Sequence, residues 1–196
     1  MSQSEQPIRI TGGCNCGALR YDFTFPPHTE IPLKDNYACL CTLCRKFTGA
    51  VVPRLLSVYT SWSNIRLYHH APEFRMYTTH VLDGFTGHRG FCGNCGSSMG
   101  THHDPIDNIQ GFTIFLGTVD EEVLVGKVIG EEEGKYGARV MRKSGFAELL
   151  ADTSKTGSIW VENATPGYDL KGPKKWRGEE DEGQWFDDIE KASNAH

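Results

Sequence analysis

The chain carries seven cysteines in three tight groups, Cys14-Asn15-Cys16, Cys39-Leu40-Cys41-Thr42-Leu43-Cys44 and Cys92-Gly93-Asn94-Cys95, with none outside them. No other feature constrains the fold as much. An odd number cannot pair completely as disulfides, and cysteines used only as small core residues would scatter along the chain. Redox C-x-x-C chemistry needs a low-pKa thiol at a helix start in a βαβ setting, which the residues around Cys92 and Cys95 do not suggest. Binding of a soft metal by thiolates fits, because C-x-C and C-x-x-C loops let two sulfurs converge on one cation. Zinc takes four protein ligands at a structural site and fewer at a catalytic one.

Seven sulfurs therefore divide into four and three. The C-x-C-x-x-C run supplies three from one stretch, and the pairs 14/16 and 92/95 clasp one ion between distant segments. An iron–sulfur cluster competes for such ligands, although it would normally want a fourth cysteine in the second group. A histidine could also close the three-sulfur site, with His69, His70, His80, His88, His102 and His103 available.

Length and charge narrow the class. With 196 residues the chain suits one domain, expected over 8–170, followed by a tail at 171–196. The tail is acidic: seven of the twelve residues from Glu179 to Glu190 are Asp or Glu and none is basic. Its Trp176, Trp185 and Phe186 suit docking on the domain or on a partner, and are compatible with a homodimer. The balance of 20 Lys+Arg against 25 Asp+Glu argues against nucleic-acid binding driven by charge. No apolar run approaches a membrane span, and the first residues lack the basic and apolar regions of a signal peptide. A reducing, cytoplasmic location is expected.

The hydrophobic pattern reads as mainly β. Leu19, Tyr21, Phe23 and Phe25 alternate with polar residues as a half-buried strand does. Ala50-Val51-Val52 with Leu55-Leu56 predicts a second strand, which Pro53 pushes toward a sheet edge or a bulge. Phe74, Met76 and Thr78 predict a third, Phe112 to Val119 a central one and Ile159-Trp160-Val161 a short late one. A short helix is predicted from Thr42 to Gly49 and another over Arg142 to Asp152, where Phe146, Leu149 and Leu150 share a face.

Glycines flank the cysteines, as in Gly12-Gly13, Gly17, Gly93 and Gly96, where tight knuckles aim backbone N–H groups at sulfur. The runs Gly13-Cys14-Asn15-Cys16-Gly17-Ala18, Cys39 to Lys46 with Gly49, and Arg89-Gly90-Phe91-Cys92-Gly93-Asn94-Cys95-Gly96-Ser97 resemble the glutathione-dependent formaldehyde-activating enzyme family, also known from centromere-protein-V-type domains. The resemblance covers about residues 10–120, with Ile159 to Asn163 similar to a late strand of the same domain.

It implies a β-tent fold, small antiparallel sheets joined at zinc sites with short helices. It also implies a structural zinc on Cys14, Cys16, Cys92 and Cys95, and a second, open catalytic zinc on Cys39, Cys41 and Cys44 where a thiol binds. The implied activity is carbon–sulfur lyase chemistry on glutathione or a related thiol adduct, as in S-hydroxymethylglutathione formation from formaldehyde. Arg45, Lys46 and Thr42 then become candidates for glutathione contacts, opposite the alternative of an ordinary solvated helix face. The chemistry is consistent, since zinc held by three thiolates activates water poorly and takes a soft thiolate as its natural fourth ligand.

Two departures stand out. Leu40 occupies a position where the family usually has histidine, and 131–157 is longer than the usual connection. The other functional class on this scaffold is a zinc-stabilised protein-binding module without catalysis.

Overall fold

The computed structural model describes residues 7–25, 36–59, 68–82, 85–103, 111–135, 137–150, 157–165, 175–176 and 185–186. The fold is mainly β with a few short helices, as predicted. Strands β1 (Ile8–Gly13) and β2 (Arg20–Phe25) form an antiparallel pair with Ile8 opposite Phe25 and Gly13 opposite Arg20. Tyr21, Phe23 and Phe25 point inward while Arg20, Asp22 and Thr24 lie on the more open face, the alternation expected of a half-buried strand.

Strand β3 (Asn36–Cys39) leads into helix α1 (Thr42–Thr48), which Gly49 ends in a left-handed conformation at the predicted place. Strand β4 (Arg54–Tyr59) follows, then β5 (Phe74–Leu82), β6 (Phe85–Cys92), β7 (Ser98–His103) and β8 (Gly111–Phe115). One helical turn, α2 (Glu121–Leu124), precedes the hairpin of β9 (Gly126–Gly134) and β10 (Gly137–Ser144). Another turn, α3 (Ala147–Leu150), precedes β11 (Gly157–Ile159), β12 (Lys175–Trp176) and β13 (Trp185–Phe186).

Among the described residues nine strands form one sheet in the order β13-β12-β11-β3-β4-β8-β7-β6-β5. Its pairings are antiparallel except those of β11 with β3 and with β12, which are parallel. Each face of the sheet carries its own core. Leu56, Val58, Phe112 and Ile114 join the larger cluster with β1 and β2, whereas their neighbours Leu55 and Phe115 join a smaller one around Cys39, Cys41 and Cys44. The period-2 alternation of strand side chains makes this division.

The local readings need four corrections. Ala50-Val51-Val52 lies outside β4, and β4 sits inside the sheet between β3 and β8 rather than at its edge. Pro53 is tolerated because it precedes the strand; its carbonyl accepts the Cys39 N–H at 3.0 Å, and its missing donor is not needed. The strand at Phe112 ends at Phe115, and residues 116–118 turn into a single 3-10 turn. Of Ile159-Trp160-Val161 only Ile159 is in β11, since Trp160 takes a left-handed backbone (φ 59°) that breaks the strand. Of the helix expected over Arg142 to Asp152, Ala147–Leu150 form α3, while Arg142, Lys143 and Ser144 pair with β9 instead; residues 151 and 152 lie outside the described residues. Much of the long 131–157 connection is thus hairpin. No helix among the described residues is long and apolar enough to cross a membrane.

Asp120 fastens the small sheet to the rest. It accepts hydrogen bonds from Thr11 Oγ1 (2.6 Å) and from both Arg20 amino groups, one at 2.9 Å. The Arg20 hydrogen bond first, and the Thr11 hydroxyl after it, hold the Asp120 carboxyl below the usual carboxylate range. A group with a depressed folded pKa stabilises the fold above its unfolded value and loses that contribution as pH falls through the folded value. Asp120→Asn is therefore expected to cost about 1 kcal/mol or less at neutral pH, because the Arg20 end of the pair is half exposed and screened. In denaturant titrations the gap between variant and wild type should narrow as pH falls through the depressed folded value of Asp120.

Candidate metal centres

Two hairpin turns build the first cluster. The turn between β1 and β2 carries Cys14 and Cys16, and the turn between β6 and β7 carries Cys92 and Cys95. The Asn15 N–H donates to Ser97 Oγ at 3.0 Å and docks one turn on the other. All four sulfurs lie within 4.8 Å of one another. Cys14 to Cys16 is 3.5 Å and Cys16 to Cys92 is 3.7 Å, close to the ~3.8 Å that tetrahedral zinc–sulfur bonds impose. A cluster of several irons would hold its sulfurs farther apart, so one ion fits and an iron–sulfur cluster does not.

The turns also prepare the sulfurs as acceptors. Leu19 N–H donates to Cys14 Sγ at 3.2 Å, and the Ser97 side chain and backbone hold the Cys95 thiol down at about 5. Gly17 and Gly96 close their turns at φ +80° and +74°, which only glycine adopts without strain. Cys14 and Cys92 are buried in the larger core, and Cys16 and Cys95 are exposed at the rim.

The second cluster forms where β3 gives way to α1. Cys39 ends the strand, Cys41 is the N-cap of the helix and Cys44 lies in its first turn. The Cys44 N–H donates to Cys41 Sγ at 3.2 Å, so one candidate ligand also caps the helix. The three sulfurs are buried and lie within 4.8 Å of one another. Hydrogen bonds from the Cys39 thiol, then the Cys44 thiol, pull the Cys41 thiol far down, while the converse contacts push Cys39 up. One thiolate shared by three sulfurs is a donor set for a soft cation. Three sulfurs would supply three of the four ligands zinc takes, and a fourth would come from elsewhere.

The histidines do not close this site among the described residues. His88 is held by Thr78 Oγ1 at 2.9 Å, His102 lies in an aromatic group with Tyr68, Phe74 and Phe112, and His70 is exposed. The side chains of His69, His80 and His103 lie outside the described residues. Leu40 turns away into a separate small apolar cluster with Val161, which accounts for an apolar residue at that position.

Of the candidate contact residues, Thr42 and Lys46 are exposed on α1, and Arg45 is half-buried with its Nε unpartnered among the described residues. Tyr37, Leu43, Phe47 and Trp160 pack against the apolar cluster that the three cysteines form with Leu55, Phe115 and Ile159.

Sequence reasoning missed Arg89. It is 5% exposed on β6, and its Nη2 donates to Cys44 Sγ at 3.8 Å. Its Nε and Nη1 have no hydrogen-bond partner among the described residues. Its charge adds a smaller pull toward the thiolate form at Cys41 and Cys44. The residue stands three positions before Cys92 in the third motif, but which cluster it would face was not readable there. Alternation along β6 turns Arg89 to the face opposite that of His88 and Gly90.

A family model described as GFA, glutathione-dependent formaldehyde-activating enzyme, matches residues 9–131, more than half of the chain. The match takes in both cysteine clusters and Arg89.

Proposed function

Because the chain belongs to the glutathione-dependent formaldehyde-activating enzyme family, we propose that it is a zinc enzyme of carbon–sulfur lyase type. It joins a thiol such as glutathione to a small carbonyl compound such as formaldehyde, and in reverse it cleaves the adduct. Cys14, Cys16, Cys92 and Cys95 hold a structural ion, and Cys39, Cys41 and Cys44 hold the working one. The observation that carries this reading is the asymmetry of the two clusters: four sulfurs complete a tetrahedral set, while three buried sulfurs leave one ligand to be supplied.

Zinc bound there would supply a soft centre at which a thiol loses its proton near neutral pH. The chain's own residues do the rest. The apolar walls from Phe47, Leu55, Phe115 and Ile159 keep water from competing for the thiol. Arg45, Lys46 and Thr42, all on α1, offer two cations and a hydroxyl to the carboxylates and amides of a glutathione-like molecule. Reduced thiols suit the cytoplasm, where we place the enzyme. Residues 8–170 form the zinc domain, and the tail at 171–196 adds short backbone pairings beside β11.

One observation favours the second reading, a protein-binding module. The β9–β10 hairpin, largely beyond the matched region, exposes Val128, Ile129, Val140 and Met141. Glutathione titrated into cobalt-substituted protein separates the two. Entry of a thiolate next to Cys39, Cys41 and Cys44 should change the sulfur-to-metal absorption of one of two ions. An unchanged spectrum would move the assignment to the binding module.

A further inference from the structure

We propose that Arg89 forms an anion site beside the three-cysteine cluster and holds the oxygen that becomes negative when a thiolate sulfur adds to a carbonyl carbon. This rests on the reading of that cluster as the thiol-binding centre. A buried guanidinium is costly unless its charge and its N–H groups are matched, commonly by a carboxylate. Arg89 is 5% exposed and has no carboxylate partner among the described residues; Nη2 on Cys44 Sγ is its recorded hydrogen bond. Nε and Nη1 stay unmatched.

Nη2 belongs to both donor edges of the guanidinium, one shared with Nε and the other with Nη1. On either edge, then, the N–H that touches Cys44 sulfur has an unmatched neighbour. Such a fork suits a ligand that places a sulfur by Cys44 and an oxygen alongside it. The adduct of a thiol and an aldehyde has that form, because its sulfur and oxygen sit on one carbon. Glutathione's distant carboxylates do not need this residue, since Arg45 and Lys46 lie farther out on α1.

The step balances without an oxidant or reductant. The sulfur electron pair forms the carbon–sulfur bond, the carbonyl π pair moves onto oxygen, and the oxygen takes a proton from water. In reverse the hydroxyl proton leaves, the carbonyl re-forms and the bond pair returns to sulfur. Between these events the oxygen is anionic beside several thiolates. Arg89 supplies a cation, and its unmatched N–H groups meet the charge as it develops.

Two thiols with the same two-carbon skeleton test this without turnover: mercaptoacetate, whose anion lies next to the sulfur-bearing carbon, and ethanethiol, which has none. Binding to zinc-loaded full-length protein would be measured by calorimetry for wild type, Arg89→Met and Arg89→Lys, with zinc content determined on each sample. Wild type is expected to bind mercaptoacetate about 10-fold tighter, the effect of one hydrogen bond to a charged group. Arg89→Met should bring the ratio to about one while keeping both zinc ions and the affinity for ethanethiol. Arg89→Lys should keep part of the preference, since the charge stays and the fork is lost, and the ratio must drop even if the methionine variant fails to fold. The rate of adduct formation should fall on the order of 100- to 1000-fold in Arg89→Met.

An unchanged ratio in the variants overturns the proposal and leaves the thiol-binding reading standing. Equal loss of both thiols together with the second zinc also overturns it, because Arg89 would then be a counter-charge for the cysteines. Failure of both thiols to bind wild type removes the thiol-binding reading and the proposal with it.

Discussion

Cys92→Ser is expected to leave the chain without a cooperative fold. Cys92 is fully buried in the larger core and supplies one of the four converging sulfurs that join the β1–β2 turn to the β6–β7 turn. Binding of a structural zinc ion to such a set contributes on the order of 10 kcal/mol or more. The net stability of a domain is only about 5–15 kcal/mol, so loss of most of the metal term exceeds what the remaining packing can offset. The direct links between the two turns are otherwise slight, notably the Asn15–Ser97 hydrogen bond. Near-ultraviolet circular dichroism with zinc analysis on the same sample checks this. A cooperative melt with both ions retained would show that the cluster is not structural.

Cys44→Ser should do the opposite. The fold should survive with one ion, and turnover of the thiol adduct should fall by more than about 100-fold, a loss that removal of a ligand's mere supporting partner can already reach. Cys39, Cys41 and Cys44 belong to the smaller cluster, while the larger core on the other face of the sheet stays intact without them. The helix they start also has its own support, with Cys41 Sγ as the N-cap acceptor and Gly49 closing the last turn. The substitution exchanges one small side chain for another, so the expected stability loss is that of a poorly matched buried hydroxyl, about 1–3 kcal/mol. If Cys44→Ser unfolded the protein and Cys92→Ser only lost activity, the structural and working roles would be exchanged.

Sequence and structure agree where a signal is local. The alternation of Tyr21, Phe23 and Phe25 marked β2, and the Thr42-to-Gly49 span marked α1, because apolar spacing and a left-handed glycine act within a few residues. Strand β6 gave no such signal. Its Gly87-His88-Arg89-Gly90 core is poor in β-branched residues, and it is a strand because β5 and β7 pair with it on both sides. Strands β9 and β10 were equally hidden, since the run of Glu131, Glu132 and Glu133 looks like a solvated loop until it is paired with Val140, Arg139 and Ala138.

The sequence alone determined the chemistry available: seven thiols in C-x-C and C-x-x-C spacings that bring sulfurs together as a soft cation requires. Tertiary structure decided that the 14/16 and 92/95 turns meet, that the two clusters lie with separate cores, and that Arg89 stands against Cys44. Short loops fix local geometry through bond lengths and backbone limits that residue spacing reveals. The side chain a strand offers to a distant site depends instead on strand order and register, which only the assembled sheet sets.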